Sequence, residues 1–321
     1  MNATNQPPIR GLHHVTAMAS DAQANVDFYT GVLGLRLVKV TVNFDDPSSY
    51  HLYYGDAAGQ PGTILTFFVW PGAGPGRIGA PQVSTTAFRV AAGTLPAWVE
   101  HLAQHGVPHA GIADRGGQQV LAATDRDGMQ VELVDAGRPG PSPVGARLAV
   151  ERIGGVTLSL SAADPTTRFL TDEFQARPGE PPTGDRARFH VGHGDAAAVV
   201  DLLATPDAPR GRLGAGIVHH VAWRVADDAG ETAWLDALRT AGHGVSPVMD
   251  RTYFHSIYFR EPGGVLFEIA TDNPGFAVDE PGAELGTHLC LPPWLQPRRA
   301  EIEASLPPLR TPAGTVIGRR G

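Results

Sequence analysis

Two His-His pairs and one glutamate, spread over almost the whole chain, form the most chemically telling pattern in this sequence. The first pair stands in Gly11-Leu12-His13-His14-Val15-Thr16 and the second in Gly216-Ile217-Val218-His219-His220-Val221-Ala222. The glutamate lies inside the apolar run Val265-Leu266-Phe267-Glu268-Ile269. Two imidazoles and one carboxylate, with coordination positions left open, are the ligand set of a non-heme Fe(II) centre. A lone carboxylate between Phe267 and Ile269 is costly to bury unless it is paired or binds a cation. One histidine on a β-like run reads more readily as a hydrogen-bonded core residue. Two at equivalent places in a repeat, with a glutamate, favour a metal.

The elements that must bring these residues together form a repeat. Four units share the order strand, helix, three strands. Unit one spans 9–70. Asp21 is the expected N-cap of a helix carrying Val26, Tyr29, Val32 and Leu33 at helical spacing, and Gly34 stops it. Unit two spans 82–135, with a helix from near Thr94, Pro96 in its first turn and a stop at Gly106. Unit three spans 152–204 and its helix follows Asp164-Pro165. Unit four spans 217–272, with a helix from about Asp228 to Ala241 and a stop at Gly242. The expected fold class is therefore α+β, four βαβββ units forming two barrel-like halves. In sequence these group as 9–136 and 150–272, with a Gly/Pro-rich linker around 137–145. A Pro-rich tail, 273–321, has a short helical stretch near Arg298–Ala304 and is expected to wrap the surface or to contact a partner chain.

Composition bounds the rest. The 321 residues carry a net charge of −8 and no basic cluster, which argues against a nucleic-acid or anionic-membrane partner. Cys290 is the only cysteine, so no intrachain disulfide can form, as suits a reducing cytoplasm. Met1 to Pro8 has neither a basic n-region nor an apolar h-region, and no apolar run reaches membrane-spanning length. A cytoplasmic location is expected. Lys39 is the only lysine, a bias that fits a GC-rich genome.

The repeated units, with a histidine on a first strand and a glutamate on a last strand, resemble the vicinal oxygen chelate superfamily. That superfamily includes glyoxalase I, extradiol dioxygenases and bleomycin-resistance proteins. The resemblance is closest to the hydroquinone-type ring-cleaving dioxygenases and covers essentially the whole chain. It rests on Leu12-His13-His14-Val15-Thr16, on Val218-His219-His220-Val221, on the run from Arg251 to Arg260, and on Leu291-Pro292-Pro293-Trp294-Leu295. It implies His14, His220 and Glu268 as metal ligands, with Fe(II) as the metal and Mn(II) as the alternative. It places Tyr258, Arg251, His13 and His219 at positions that contact substrate or support the ligands. A small aromatic substrate and O2 are the implied partners, with homo-oligomerisation open.

Counting inward positions gives a separate check. Unit one offers His14 and Thr66, unit two Thr86 and Glu132, unit three Gly155 and Asp201, unit four His220 and Glu268. Only units one and four together supply two imidazoles and a carboxylate, so those two should pack together, with units two and three forming a metal-free half. Glyoxalase I-like sites use four protein ligands; here Thr66 takes the place of the fourth. Three ligands leave room for a bidentate phenolic substrate and dioxygen. Strand alternation groups Glu268 with Leu266 and Ala270, and turns His13 and His219 away from the metal. Arg251 has the opposite parity to Tyr258 and would reach the cavity only from a loop or bulge. Phe254, Phe267, Trp223 and Tyr29 are candidates for an apolar pocket. Glu132 is expected to be hydrogen-bonded locally. Two other functions stay open: a metal-dependent isomerase or lyase on the same scaffold, and a non-catalytic small-molecule binder.

Overall fold

The computed structural model describes residues 6–115, 117–137, 148–180 and 186–318. All of the expected linker except Gly137 lies outside them. Unit one contains β1 (Leu12–Ala19), α1 (Ala22–Val26), β2 (Arg36–Asn43), β3 (Asp46–Gly55) and β4 (Ile64–Val69). Unit two contains β5 (Gln82–Val90), α2 (Leu95–Gln104), β6 (His109–Arg115), β7 (Gln118–Thr124) and β8 (Gln130–Asp135). Unit three contains β9 (Arg152–Leu160), α3 (Asp164–Arg168), β10 (Arg177–Pro178), β11 (Arg186–Val191) and β12 (Ala198–Ala204). Unit four contains β13 (Val218–Val225), α4 (Asp228–Thr240), β14 (Met249–Asp250), β15 (Phe254–Arg260) and β16 (Leu266–Pro274).

Local signals set these boundaries. The Asp21 carboxylate accepts the Ala24 N–H at 2.8 Å and caps α1, whose last part widens into a π-helical turn over Asp27–Val32. Asp227 caps α4 in the same way through the Gly230 N–H. Each helix lays its apolar stripe on the outer face of its sheet. Trp98 and Trp234 are fully buried there, and burying an aromatic of this size contributes roughly 1.5–3 kcal/mol.

The strands form two eight-stranded sheets. One runs β14-β15-β16-β13-β1-β4-β3-β2 and the other β10-β11-β12-β9-β5-β8-β7-β6. Units one and four thus share a sheet, joined by the antiparallel β1–β13 pair, and units two and three share the second through β5–β9. Each sheet takes one unit from each half of the sequence. In unit three Gly155 stands where unit one has His14, and a Cβ there would meet the Val199 carbonyl oxygen at 2.2 Å. The backbone approach alone bars any side chain from that position.

The tail folds back over unit one. It carries α5 (Arg299–Ser305) and a small hairpin of β17 (Leu309–Arg310) and β18 (Val316–Ile317). Lys39 on β2, fully buried, places its Nζ 2.5 Å from both Asp279 Oδ1 and Glu280 Oε2, and 4.9 Å from the Tyr253 ring centre. The Cys290 N–H donates to the Val40 carbonyl at 2.9 Å, and the Tyr50 hydroxyl to the Pro307 carbonyl at 2.8 Å. These contacts clamp the tail to β2 and β3.

Candidate metal centre and its cavity

Sheet register places the three expected ligands. His14 on β1 stands opposite Ala222 on β13, and Ala222 stands beside Glu268 on β16. Residues that face each other across a ladder point to the same side. His14, Ala222 and Glu268 therefore form one row on the concave face, with His220 two residues back on the middle strand. Ala222 contributes only a methyl group, so the imidazole and the carboxylate meet above it. The three donor atoms lie within 4.8 Å of one another. His220 Nε2 is 2.8 Å and His14 Nε2 3.3 Å from Glu268 Oε2, and the two Nε2 atoms are 3.4 Å apart.

These groups face one another without pairing off. Both Glu268 oxygens are fully buried and neither has a hydrogen-bond partner of proper geometry among the described residues, despite the short contacts to the imidazoles. An unpaired buried carboxylate is among the most costly groups in a protein interior. A divalent cation at the point where the three donors converge removes that cost. Burial alone would raise the Glu268 carboxyl, but the two facing imidazoles hold it well below the ordinary carboxylate range.

The preceding histidines fix how the ligands present their lone pairs. His13 Nε2 lies 3.1 Å from the Thr271 carbonyl, and His13 Nδ1 lies 2.9 Å from His14 Nδ1. A carbonyl only accepts, so His13 Nε2 carries the hydrogen. Burial, followed by the neighbouring His14, lowers His13 to about 3 and keeps the ring neutral. Its Nδ1 is then bare and accepts from His14 Nδ1–H, which leaves His14 Nε2 to face the centre. His219 repeats the contact, with Nδ1 2.8 Å from His220 Nδ1. Burial and then His220 lower His219 to about 3 as well. Its Nε2 has no hydrogen-bond partner among the described residues. Strand parity turned both residues away from the metal point. They do turn away from it, yet each touches the back of a ligand, helped at His13 by the irregular register between Leu12 and His14.

Tyr258 on β15 stands directly opposite Glu268, and its ring centre is 5.6 Å from that of His220. Its hydroxyl oxygen accepts from Arg251 Nε–H at 3.2 Å and from Ser256 O–H at 3.1 Å. With two donors on the oxygen, the tyrosine's own hydrogen is left to point into the cavity. Burial, with Glu268 next, pushes the phenol far above its usual range, so it stays protonated. Arg251 arrives from the bend after β14. Thr252 in the turn adopts φ 70°, an outlier for a β-branched residue, and the hairpin register, with Met249 opposite Ser256 and the Arg251 N–H on the Phe254 carbonyl, sets Arg251 on the Tyr258 face. Arg251 Nη1 also sits 3.8 Å from Asp45 Oδ2 at the rim.

The cavity has a volume of about 280 Å³. Phe44, Phe68, Trp70 and Phe254 supply its apolar walls. Phe267, Trp223 and Tyr29, expected as pocket candidates, pack in the core instead. Phe267 and Trp223 stand at odd spacing from Glu268 and His220, so alternation turns them to the other face, and Tyr29 sits on the helix behind the sheet.

His51 was not foreseen. Its Nε2 lies 2.6 Å from Thr66 Oγ1, its Nδ1 3.0 Å from the Tyr53 hydroxyl, and Thr66 donates to Thr16 at 3.3 Å. Thr66, in the place of a fourth ligand, is thus engaged by a neighbouring imidazole. Only the parity of β3 could have pointed to His51, since nothing in the repeat marks it.

The corresponding hollow of the second sheet is filled by ion pairs. Arg115 binds both oxygens of Glu132, and Arg188 both oxygens of Asp201. Thr86, expected to face this hollow, is buried in the core face instead. Register pairs Ala87, not Thr86, with Glu132, so the position equivalent to His220 is Thr85.

Comparison with known proteins agrees with this architecture. The family model described as "Glyoxalase/Bleomycin resistance protein/Dioxygenase superfamily" matches residues 11–133 and 152–269. A Bacillus subtilis (strain 168) protein named "Putative ring-cleaving dioxygenase MhqO" is 44% identical over 304 residues, covering 93% of this chain and 96% of the relative. The "Chlorohydroquinone/hydroquinone 1,2-dioxygenase" of Sphingobium indicum is 35% identical over 306 residues, covering 92% and 95%. The crystal structure of a "putative dioxygenase" from Bacillus subtilis subsp. subtilis str. 168 superposes with a TM-score of 0.88 at 43% identity, covering 94% of this chain and 98% of that one. With two curled sheets built from four βαβββ units, the chain belongs to the glyoxalase/bleomycin resistance protein/dioxygenase superfamily and has the vicinal oxygen chelate fold.

Proposed function

We propose that this protein is an Fe(II)-dependent ring-cleaving dioxygenase acting on a hydroquinone or catechol, with His14, His220 and Glu268 as the metal ligands and Mn(II) as an alternative metal. The observation that carries the reading is the buried three-donor centre, with both Glu268 oxygens unpartnered, on the wall of an aromatic-lined cavity. Relatives named for ring cleavage over nearly their whole length support it.

The ion, when bound, lowers the pKa of a coordinated phenol and supplies the open positions and the electron path that O2 chemistry needs. The chain's own residues do the rest. Tyr258 donates its hydroxyl hydrogen toward an oxygen of the substrate, held in aim by Arg251 and Ser256. Arg251 adds a positive charge on the same side, where negative charge develops on oxygen. His13 and His219 hold the rings of His14 and His220 and set their tautomers. Phe254 and Phe68 hold the substrate ring and exclude water.

A glyoxalase-type isomerase on this scaffold would use a fourth protein ligand. Thr66 in that place, hydrogen-bonded to His51, speaks against it. The test is metal analysis of protein purified without oxygen, followed by an oxygen electrode with a panel of hydroquinones and catechols. Equimolar iron and oxygen uptake with a ring-opened product is the expected result. Iron-loaded protein that takes up no oxygen with any of them would sink the proposal.

A further inference from the structure

Beside the catalytic cavity lies a second cleft of about 420 Å³, formed where the two unit-to-unit connections, 70–81 and 205–217, meet the turn between β15 and β16. His219 and Leu266 line both spaces, so they stand as the partition between them. Among the described residues its charged side chains are Arg210 and Arg260, and no carboxylate lines it. Arg260 makes one hydrogen bond, to the Gly264 carbonyl at 2.8 Å. Arg210 has no side-chain partner among the described residues. The floor is built firmly: Arg77 donates twice to the Arg210 carbonyl, at 2.8 and 3.2 Å, and Arg212 to the Pro75 carbonyl at 3.1 Å. In a chain of net charge −8 this all-cationic cleft, wall to wall with the catalytic cavity, is an exception.

We infer that this cleft is a binding site for a small carboxylate and serves as the exit subsite for the ring-opened product. The inference rests on the dioxygenase reading. Cleaving a ring beside its hydroxyl group breaks one C–C bond and places one oxygen atom of O2 on each freed carbon. The hydroxylated carbon becomes a carboxylic acid and its neighbour an aldehyde. Dioxygen is the oxidant, the ring is the reductant, and no other reagent is consumed. The acid then gives its proton to water. A phenol, with a pKa near 10, enters uncharged, whereas a carboxyl group, with a pKa near 4, leaves as an anion. Arginines placed beyond His219 and Leu266, outside the reaction chamber, attract the anion and not the neutral substrate. The cleft thereby offers the product, and not the substrate, a second cationic site beside the chamber, in addition to Arg251 within it.

The test measures binding of cis,cis-muconate and maleate, ring-opened and short dicarboxylates, to the intact protein by titration calorimetry. Saturable binding that weakens with salt is expected. Replacing both arginines, Arg210→Gln with Arg260→Gln, should raise the Kd about tenfold or more, the loss of charge-assisted hydrogen bonds. Gln82→Glu should act in the same direction, because it adds a negative charge to the cleft while keeping the oxygen that accepts the Gly79 N–H. Binding should persist in His220→Ala, which spoils the metal centre. Absence of binding, an unchanged Kd in both variants, or loss of binding in His220→Ala would overturn the inference. Failure of the dioxygenase reading would appear elsewhere, as absence of oxygen uptake, and does not bear on these titrations.

Discussion

His14 and Glu268 lie in one row of the same sheet, two strands apart, with the methyl group of Ala222 between them. Two strand spacings amount to about 9–10 Å between backbones. The reach of an imidazole on one side and a carboxylate on the other closes that gap to 3.3 Å between Nε2 and Oε2. The centre therefore depends on a residue that offers no ligand at all.

Ala222→Leu should place a branched side chain where the donors converge. Metal content is expected to fall from equimolar to near zero. The cost in fold stability should stay near that of ordinary overpacking, about 1–3 kcal/mol. Metal analysis beside a thermal melt checks both. Retention of a full equivalent of metal would show that the row does not define the site.

Tyr258→Phe should leave the fold and metal content intact and lower kcat by roughly 10- to 1000-fold, the range for a lost proton donor or oxyanion partner. Ser256→Ala removes one of the two donors that aim the hydroxyl, so a smaller fall in kcat is expected. Glu268→Ala should instead lose the metal. Unchanged turnover in an iron-replete Tyr258→Phe variant would make the tyrosine a wall residue only.

Much of this arrangement is legible in the sequence because a repeat carries its own coordinates. The family resemblance implies His14 and His220 within the two His-His pairs, the repeat gives each unit its inward positions, and counting those positions pairs unit one with unit four, as the shared sheet bears out. The same count misplaced Thr86 by one residue, since only the register of β5 against β8 distinguishes Thr85 from Thr86. Phe267 and Trp223 failed as pocket residues for the opposite reason: nearness in sequence to a ligand was weighed above parity. His51 was missed because its role depends on which side chains meet across strands, and the tie between Ser256 and Tyr258, two residues apart on β15, was missed because it depends on how two side chains turn on one face. Arg251 reaches Tyr258 through the register of the β14–β15 hairpin, whose turn at Thr252, at positive φ, no residue type there announces.

The two supporting histidines should not be equivalent. His13 is held at both nitrogens, by His14 and by the Thr271 carbonyl, whereas His219 is held at one. His13→Ala should therefore weaken metal affinity by about 10- to 100-fold, the usual effect of losing a group that orients a ligand. His219→Ala should cost less. Competition against a metal-responsive dye measures both, and equal or reversed effects would refute the tautomer chain.

Lys39→Met removes the ammonium that pairs at 2.5 Å with Glu280, which is almost wholly buried. Leaving a buried partner uncompensated costs about 3–5 kcal/mol. The loss should appear first as protease cleavage within 279–318, since Lys39 is one of the contacts that hold that segment to β2, beside Arg36, which donates to the carbonyls of Gly282, Ala283 and Leu285. Lys39→Arg should rescue poorly, because a planar guanidinium does not fit a space shaped for one ammonium. A tail as resistant in Lys39→Met as in the parent would show that the remaining ties, from Arg36, Tyr50 and the Cys290 N–H, suffice to hold it.

The metal-free protein should lose stability as pH falls below the ordinary histidine range. Burial lowers His13 and His219 from 6.5 to about 3, puts His51 well below its usual value, and lowers His220. Between pH 6.5 and 3 the unfolded chain binds protons at these positions that the folded chain refuses, so stability falls with pH. Glu268, held low by its imidazoles against the effect of burial, acts in the same direction further down. Glu231 opposes them: burial raises it to about 7, so its contribution is complete at low pH and fades as pH climbs toward 7. Asp125, raised first by burial, and His255, raised first by its hydrogen bond to Asp228, oppose them too, while His190, lowered first by burial, adds to them; five lowered histidines against three opposing groups leave the net slope positive. Urea midpoints of the metal-free protein should therefore be clearly lower at pH 5 than at pH 7, with an unchanged m-value. An equal or higher midpoint at pH 5 would mean that the imidazoles around the centre are not buried as neutral rings.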